Sequence, residues 1–130
     1  MAKVDYLSDQ WIVAANAILT SMTPSSKPFV VAYQVTNCPG EADEQTHHLV
    51  LGPEQVKMAR GPGHANVMLT LPWSLACRIA QGQTGAQRAF LDGLLSIAGD
   101  PNALLGHQQY LAAVDDELAQ LREETNFLVS

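Results

Sequence analysis

Near its end the chain carries a helix that cannot stand alone. Asp100-Pro101 joins a capping carboxylate to a proline at the first helical position. Leu104, Leu111, Val114, Leu118 and Leu121 then follow at intervals of 7, 3, 4 and 3. Those intervals place all five on one stripe of a helix that runs to about Thr125. Burying them contributes roughly 7–15 kcal/mol before entropy is counted. Asp115-Asp116-Glu117 and Glu123-Glu124 straddle the stripe, as residues of a solvated face do. So one-sided a helix has to lie on another layer, and the preceding chain supplies that layer as strands.

Phe29-Val30-Val31-Ala32-Tyr33-Gln34-Val35-Thr36 is β-branched and aromatic, with Phe29, Val31, Tyr33 and Val35 on one face. Thr46 to Leu51 reads as a second strand, with His47, Leu49 and Leu51 on one side. A third, Gln55 to Ala59, follows the Gly52-Pro53 turn, and these short connections imply an antiparallel meander. Asn66 to Thr70 is a fourth strand, with Val67, Leu69 and Leu71 facing inward, and Leu95 and Ile97 belong to a fifth closed by Gly99. The first helix, residues 9–22, has Ser8 as N-cap and is stopped by the stretch from Thr23 to Pro28. Pro72 reads as the first residue of a helix over Trp73 to Gln81, and Thr84 to Leu91 is another helical segment ended by Gly93. Loops fall at Asn37 to Glu44 and at Arg60 to His64. The predicted fold class is α+β. A five-stranded, mostly antiparallel sheet is covered on one face by helices in the order α-β-β-β-β-α-α-β-α, all within one domain of residues 1–130.

Composition narrows the function. Formal net charge is −6, from 7 Lys+Arg against 13 Asp+Glu, with no basic run, which argues against a nucleic-acid partner. Charged residues make up 15% of the chain and apolar ones 47%, a balance that suits extra apolar surface at an interface or around a cavity. Cys38 and Cys77 read as buried reduced thiols of a reducing compartment. The start, Met1 to Asp5, does not read as a signal peptide, and no apolar run approaches the roughly 20 residues needed to span a bilayer. The expectation is a soluble, cytoplasmic protein.

From Gly82 to Asp100 the chain reads Gly-Gln-Thr-Gly-Ala-Gln-Arg-Ala-Phe-Leu-Asp-Gly-Leu-Leu-Ser-Ile-Ala-Gly-Asp. With Gly82, Gln87, Ala89, Phe90, Gly93, Ile97, Gly99 and Asp100 at matching places, this resembles the sterol carrier protein type 2 family of lipid-binding domains. The order of elements matches too. Leu94, Ser96 and Ala98 stand where the family's last strand often has lysines, and Pro72 where relatives often have Ser or Thr. The resemblance implies a sheet with helices over one face and an apolar tunnel between them, holding a sterol, fatty acid or acyl-coenzyme A. It implies no catalysis and no cofactor. The residues expected to contact the ligand are Leu69, Leu71, Trp73, Ile79, Gln87, Phe90, Leu95, Ile97, Leu118 and Leu121, with Arg78, Gln81 and Gln87 as head-group candidates near the mouth. The expected partner is a lipid or another apolar small molecule, with transient membrane contact.

Other chemistry finds little footing. His47 and His48 are adjacent on a strand and point to opposite faces, so they do not readily share a metal ion. There is no Gly-x-Ser-x-Gly elbow, and Arg60-Gly61-Pro62-Gly63 has neither the length nor the lysine of a phosphate loop. Two rival readings stand beside the carrier. One is an interaction module of the same fold, supported by low charge and the outward-facing Val30, Val50 and Leu94. The other, more distant, is a small isomerase.

Overall fold

The structure is a computed structural model that describes residues 4–23, 28–39, 44–52, 54–61 and 63–127, without the side chains of Ala86 and Gln87. The first three residues, the Pro24 to Lys27 helix stop, Gly40 to Asp43 of the acidic loop, Pro53, Pro62 and the last three residues lie outside the described set. A short β1 (Val4–Asp5) leads into α1 (Asp9–Leu19). The strands β2 (Phe29–Thr36), β3 (Gln45–Leu51), β4 (Val56–Arg60) and β5 (Val67–Pro72) follow. Then come α2 (Trp73–Ala80), α3 (Ala86–Leu91) and β6 (Ser96–Gly99). The chain ends in α4 (Pro101–Gly106), α5 (Gln108–Leu118), a 3-10 turn over Ala119–Glu124 and β7 (Thr125–Asn126).

The main sheet has five strands in the order β4-β3-β2-β5-β6. Three of its pairings are antiparallel, and β2 runs parallel to β5. The parallel pair is possible because a long connection, β3 and β4, returns the chain to the far side of β2. Alternation sets the faces: Val31, Val35, Leu49, Leu51, Val67, Leu69 and Leu71 are buried on the side that the helices cover. Ser8 caps α1 by accepting from the amide of Trp11 at 3.2 Å, and Asp100 caps α4 by accepting from Asn102 at 2.9 Å. Gly93 and Gly99 have φ of 75° and 110°, where a side chain is strained. Gly99 is further constrained, since a Cβ there would stand 2.6 Å from the carbonyl of Asn66.

Several expectations need correction. The terminal helix is not continuous. It breaks at Gly106-His107 and tightens into a 3-10 turn after Leu118, so Thr125 belongs to a strand. That strand, β7, pairs in parallel with β1, a two-stranded ribbon that no local pattern announces. The first helix ends at Leu19 and not at 22. Pro72 is the N-cap of α2, in extended backbone, because it is still the last residue of β5. Asp115 is exposed, as expected of the solvated face, and also borders the cavity described below.

Candidate functional site

Between the inner face of the sheet and the helices α3, α4 and α5 lies a cavity of about 400 Å³. It crosses the whole sheet. Met58 comes from β4, His47 and Leu49 from β3, Tyr33 and Val35 from β2, Leu69 and Leu71 from β5, and Ile97 from β6. Leu104, Leu111, Leu118 and Leu121 roof it. The C-terminal stripe thus overlies space more than solid core, and within α5 only Val114 is buried.

Its two ends differ. At the β6 end Phe90 and Leu105 line the cavity while keeping 41% and 55% of their surface exposed, which marks the mouth. At the β3 end the wall is aromatic. Tyr6 packs edge-on against Trp11, with ring centroids 5.1 Å apart, and also against Trp73 and Phe127. Trp11 donates its indole N–H to Thr125 Oγ1 at 3.1 Å, and that hydroxyl donates to the carbonyl of Leu121 at 2.5 Å. These bonds hold the β1–β7 ribbon against α1 and close that end.

Of the residues singled out from the sequence, Leu69, Leu71, Ile79, Phe90, Leu95, Ile97, Leu118 and Leu121 come together on the cavity wall. Trp73 does not line the cavity. It is buried behind Tyr6, because it opens α2 beyond the end of β5. The side chain of Gln87 is outside the described residues. Arg78 is exposed and, like Gln81, is not on the wall. Polar groups that sequence reasoning passed over are there instead: Tyr6, Tyr33, His47, Gln108, Asp115, Arg122 and Thr125. A signal existed for three of them. Gln108, Asp115 and Arg122 recur every seven residues, interleaved with Leu111 and Leu118 on the same stripe.

At the closed end burial keeps three titratable groups, His47, Tyr6 and Tyr33, neutral at pH 7. His47 is only 5% exposed, and its ring stacks on Tyr33 at a centroid distance of 5.0 Å. Burial, reinforced by the nearby charges of Arg60 and His48, lowers its pKa to about 4, so it is uncharged at neutral pH. Its Nδ1 is buried without a hydrogen-bond partner among the described residues, a state that costs roughly 1–3 kcal/mol. Burial pushes the phenols of Tyr6 and Tyr33 well above their usual range and keeps both protonated. Burial, then the charge of Asp116, raises Asp115 to about 6 against the pull of Arg122. Asp115 keeps accessible surface although protein surrounds most of its carboxyl. It is exposed, as are Gln108 and Arg122, which line the cavity with it.

Reactive or metal-holding clusters are scarce. Cys38 and Cys77 are buried thiols, and burial, then the neighbouring Cys38, pushes Cys77 up to about 11, which makes it a poor nucleophile. His48 turns away from His47 and engages the carbonyl of Gly61 at 2.7 Å. Among the described residues no group of three His, Cys, Asp or Glu could hold a metal ion, and no helix is long and apolar enough to cross a membrane.

A profile of the SCP-2 sterol transfer family matches residues 26–112. No curated protein sequence matches the chain. Among solved structures, it is similar to a sterol carrier protein 2 crystal structure, with a TM-score of 0.72 and 16% identity over 88% of this chain and 98% of that one. A conserved hypothetical protein of Thermus thermophilus superposes with a TM-score of 0.69 and 16% identity over 93% and 92% of the two chains. The palmitated SCP2L2 of Aedes aegypti does so at 0.54 and 14%, over 86% and 95%. At these identities the structures show a shared fold.

Proposed function

The chain belongs to the SCP-2 sterol transfer family, and we therefore propose that it binds a lipid, with the apolar tail in the cavity between the sheet and helices α3 to α5. The observation that carries this reading is the size of the cavity. A volume of about 400 Å³ lies within the range of small-molecule sites. Water would find few partners along a wall built mainly from Leu, Ile, Val and aromatic side chains, so an alkyl or isoprenoid tail suits it better. The Aedes aegypti neighbour, itself palmitated, supports the same reading.

Energetics favour a carrier over a sink. A sixteen-carbon tail gains on the order of 12 kcal/mol on burial, and binding costs at least about 4 kcal/mol of rigid-body freedom. A bilayer offers the same methylenes nearly the same gain, so exchange between protein and membrane is close to neutral. Phe90 and Leu105 are exposed at the mouth, Leu91 and Leu94 are exposed nearby in the sequence, and this apolar surface would meet a bilayer during exchange. With a net charge of −6, that contact would rest on apolar insertion and not on attraction to anionic lipids.

The experiment is uptake of a fluorescent acyl chain by protein first stripped of lipid. Ile97→Trp and Leu118→Trp place bulk into the cavity from the floor and from the roof. Each is expected to weaken uptake roughly tenfold or more while the circular dichroism spectrum is unchanged. Full uptake by both folded variants would overturn the reading.

A further inference from the structure

We infer that β6 is a docking edge for a second copy of this chain, the two β6 strands pairing antiparallel about a two-fold axis. The inference does not depend on what the cavity holds. The main sheet ends on β4 at one side and on β6 at the other, and the two edges are treated differently. β4 is sealed. Asn16 of α1 accepts from the Met58 amide at 2.7 Å and donates to the Met58 carbonyl at 2.8 Å, as a neighbouring strand would. Lys57 stands exposed on the same strand and Arg60 ends it, charges of the kind that keep edges from pairing. β6 has no such guard among the described residues. β5 pairs along one side of it, and Ser96, Ala98 and Gly99 are exposed. From Gly93 to Gly99 the chain carries no charge.

The open edge complements itself. Pairing has to match faces, because side chains alternate: Ile97 lines the cavity, so Ser96 and Ala98 point to the other side of the sheet. With Ile97 opposite the partner's Ile97, Ser96 lies opposite the partner's Ala98, and Leu95 opposite the bare backbone of the partner's Gly99. Asp100 comes opposite the partner's Leu94, so no two acidic residues meet. Two chains of net charge −6 repel, and this uncharged stretch lets them touch without bringing charges together. Four of the five large apolar side chains left exposed among the described residues, Phe90, Leu91, Leu94 and Leu105, fall on either side of β6 in the sequence. The apolar surface that a partner would cover is concentrated there.

Symmetry and the sealed edge limit the assembly. A two-fold axis uses up the open edge of both copies, and β4 offers no other, so growth stops at two. The two five-stranded sheets then continue into one, with the helices of both copies on the same face and the two cavity mouths side by side. A strand of four residues makes a small interface, of the transient kind.

The test is sedimentation velocity from roughly 5 μM to 0.5 mM, a span in which a small, transient interface registers. Wild type is expected to pass from monomer to dimer and no further. Ser96→Lys with Ala98→Lys sets lysines opposite one another at exposed positions. It is expected to weaken self-association roughly tenfold or more, with the circular dichroism spectrum unchanged. Ser96→Glu with Ala98→Glu is expected to do the same. An equimolar mixture of the two folded variants is expected to recover the dimer, because each lysine then faces a glutamate. A wild type that stays monomeric throughout, self-association undiminished in both variants, or a mixture that stays monomeric would overturn the pairing. Assembly of wild type beyond the dimer would overturn it too.

Discussion

The sheet is covered twice, and the two covers are built differently. Against the edge strand β4 lies α1, with Trp11, Ile12, Ala15 and Leu19 buried in a helix of 11 residues. Asn16 locks it to the edge strand, donating to the carbonyl of Met58 at 2.8 Å and accepting from its amide at 2.7 Å. Against β5 lies α4, followed by α5, which packs on α1 and roofs the cavity; Val114 alone is buried in the two. Both covers carry apolar side chains at helical spacing. One has settled into solid packing, pinned to the edge strand through a side chain, while the other stands over the cavity with its leucines half-covered. An amphipathic stripe therefore states which way a helix faces, not what it faces.

The largest test of that difference is a pair of matched truncations. Leu19→Ala removes a side chain with no exposed surface from the solid cover and is expected to cost about 3 kcal/mol in urea denaturation. Leu111→Ala removes one that already borders open space. Few of its contacts are lost, and the expected cost is about 1 kcal/mol or less. Equal costs would mean that the second cover is packed as tightly as the first.

The same contrast sorts what is legible in the sequence. The solid parts announce themselves locally. Strands β2, β3 and β5 alternate, Ser8 and Asp100 cap as their chemistry requires, and Gly93 and Gly99 sit where only glycine is comfortable. The family resemblance, carried by residues 82–100, agrees with the family match over 26–112. What stays hidden depends on distant partners. The β1–β7 ribbon joins Val4 to Thr125, and a two-residue pairing leaves no period to read. The break at Gly106-His107 is concealed by leucines that keep helical phase across it. Asp115 reads as solvated from its acidic neighbours, although its spacing of four from Leu111 and three from Leu118 puts it on the stripe. Cavity walls and cores use the same residue types, so neither composition nor periodicity separates them. Volume does.

The polar end sharpens the comparison through pH. His47 titrates near 6.5 in the unfolded chain and near 4 when folded. Below pH 6.5 the unfolded chain takes up a proton that the folded one refuses. Stability from this residue is therefore complete above pH 6.5 and lost as pH falls to 4, by up to about 3 kcal/mol. His47→Leu should flatten that limb in thermal melts from pH 7 to 4. An undiminished limb would place the titration elsewhere.

Asp115 works against it and more weakly. Its carboxyl titrates near 3.8 unfolded and near 6 folded, so the folded chain holds the extra proton between those values. Stability thus declines as pH rises from about 4 to 6 and stays reduced above. The residue keeps accessible surface, so solvent screens much of the effect, and about 1 kcal/mol is the expected size. Asp115→Asn should therefore raise stability at pH 8 by about that amount and change little at pH 4. The two limbs have opposite signs because His47 is neutral when deprotonated and Asp115 is charged, while burial disfavours charge on either. If Asp115→Asn instead lowered stability at pH 8, its carboxylate would be held by a partner, and the closed end of the cavity would be an ionic site.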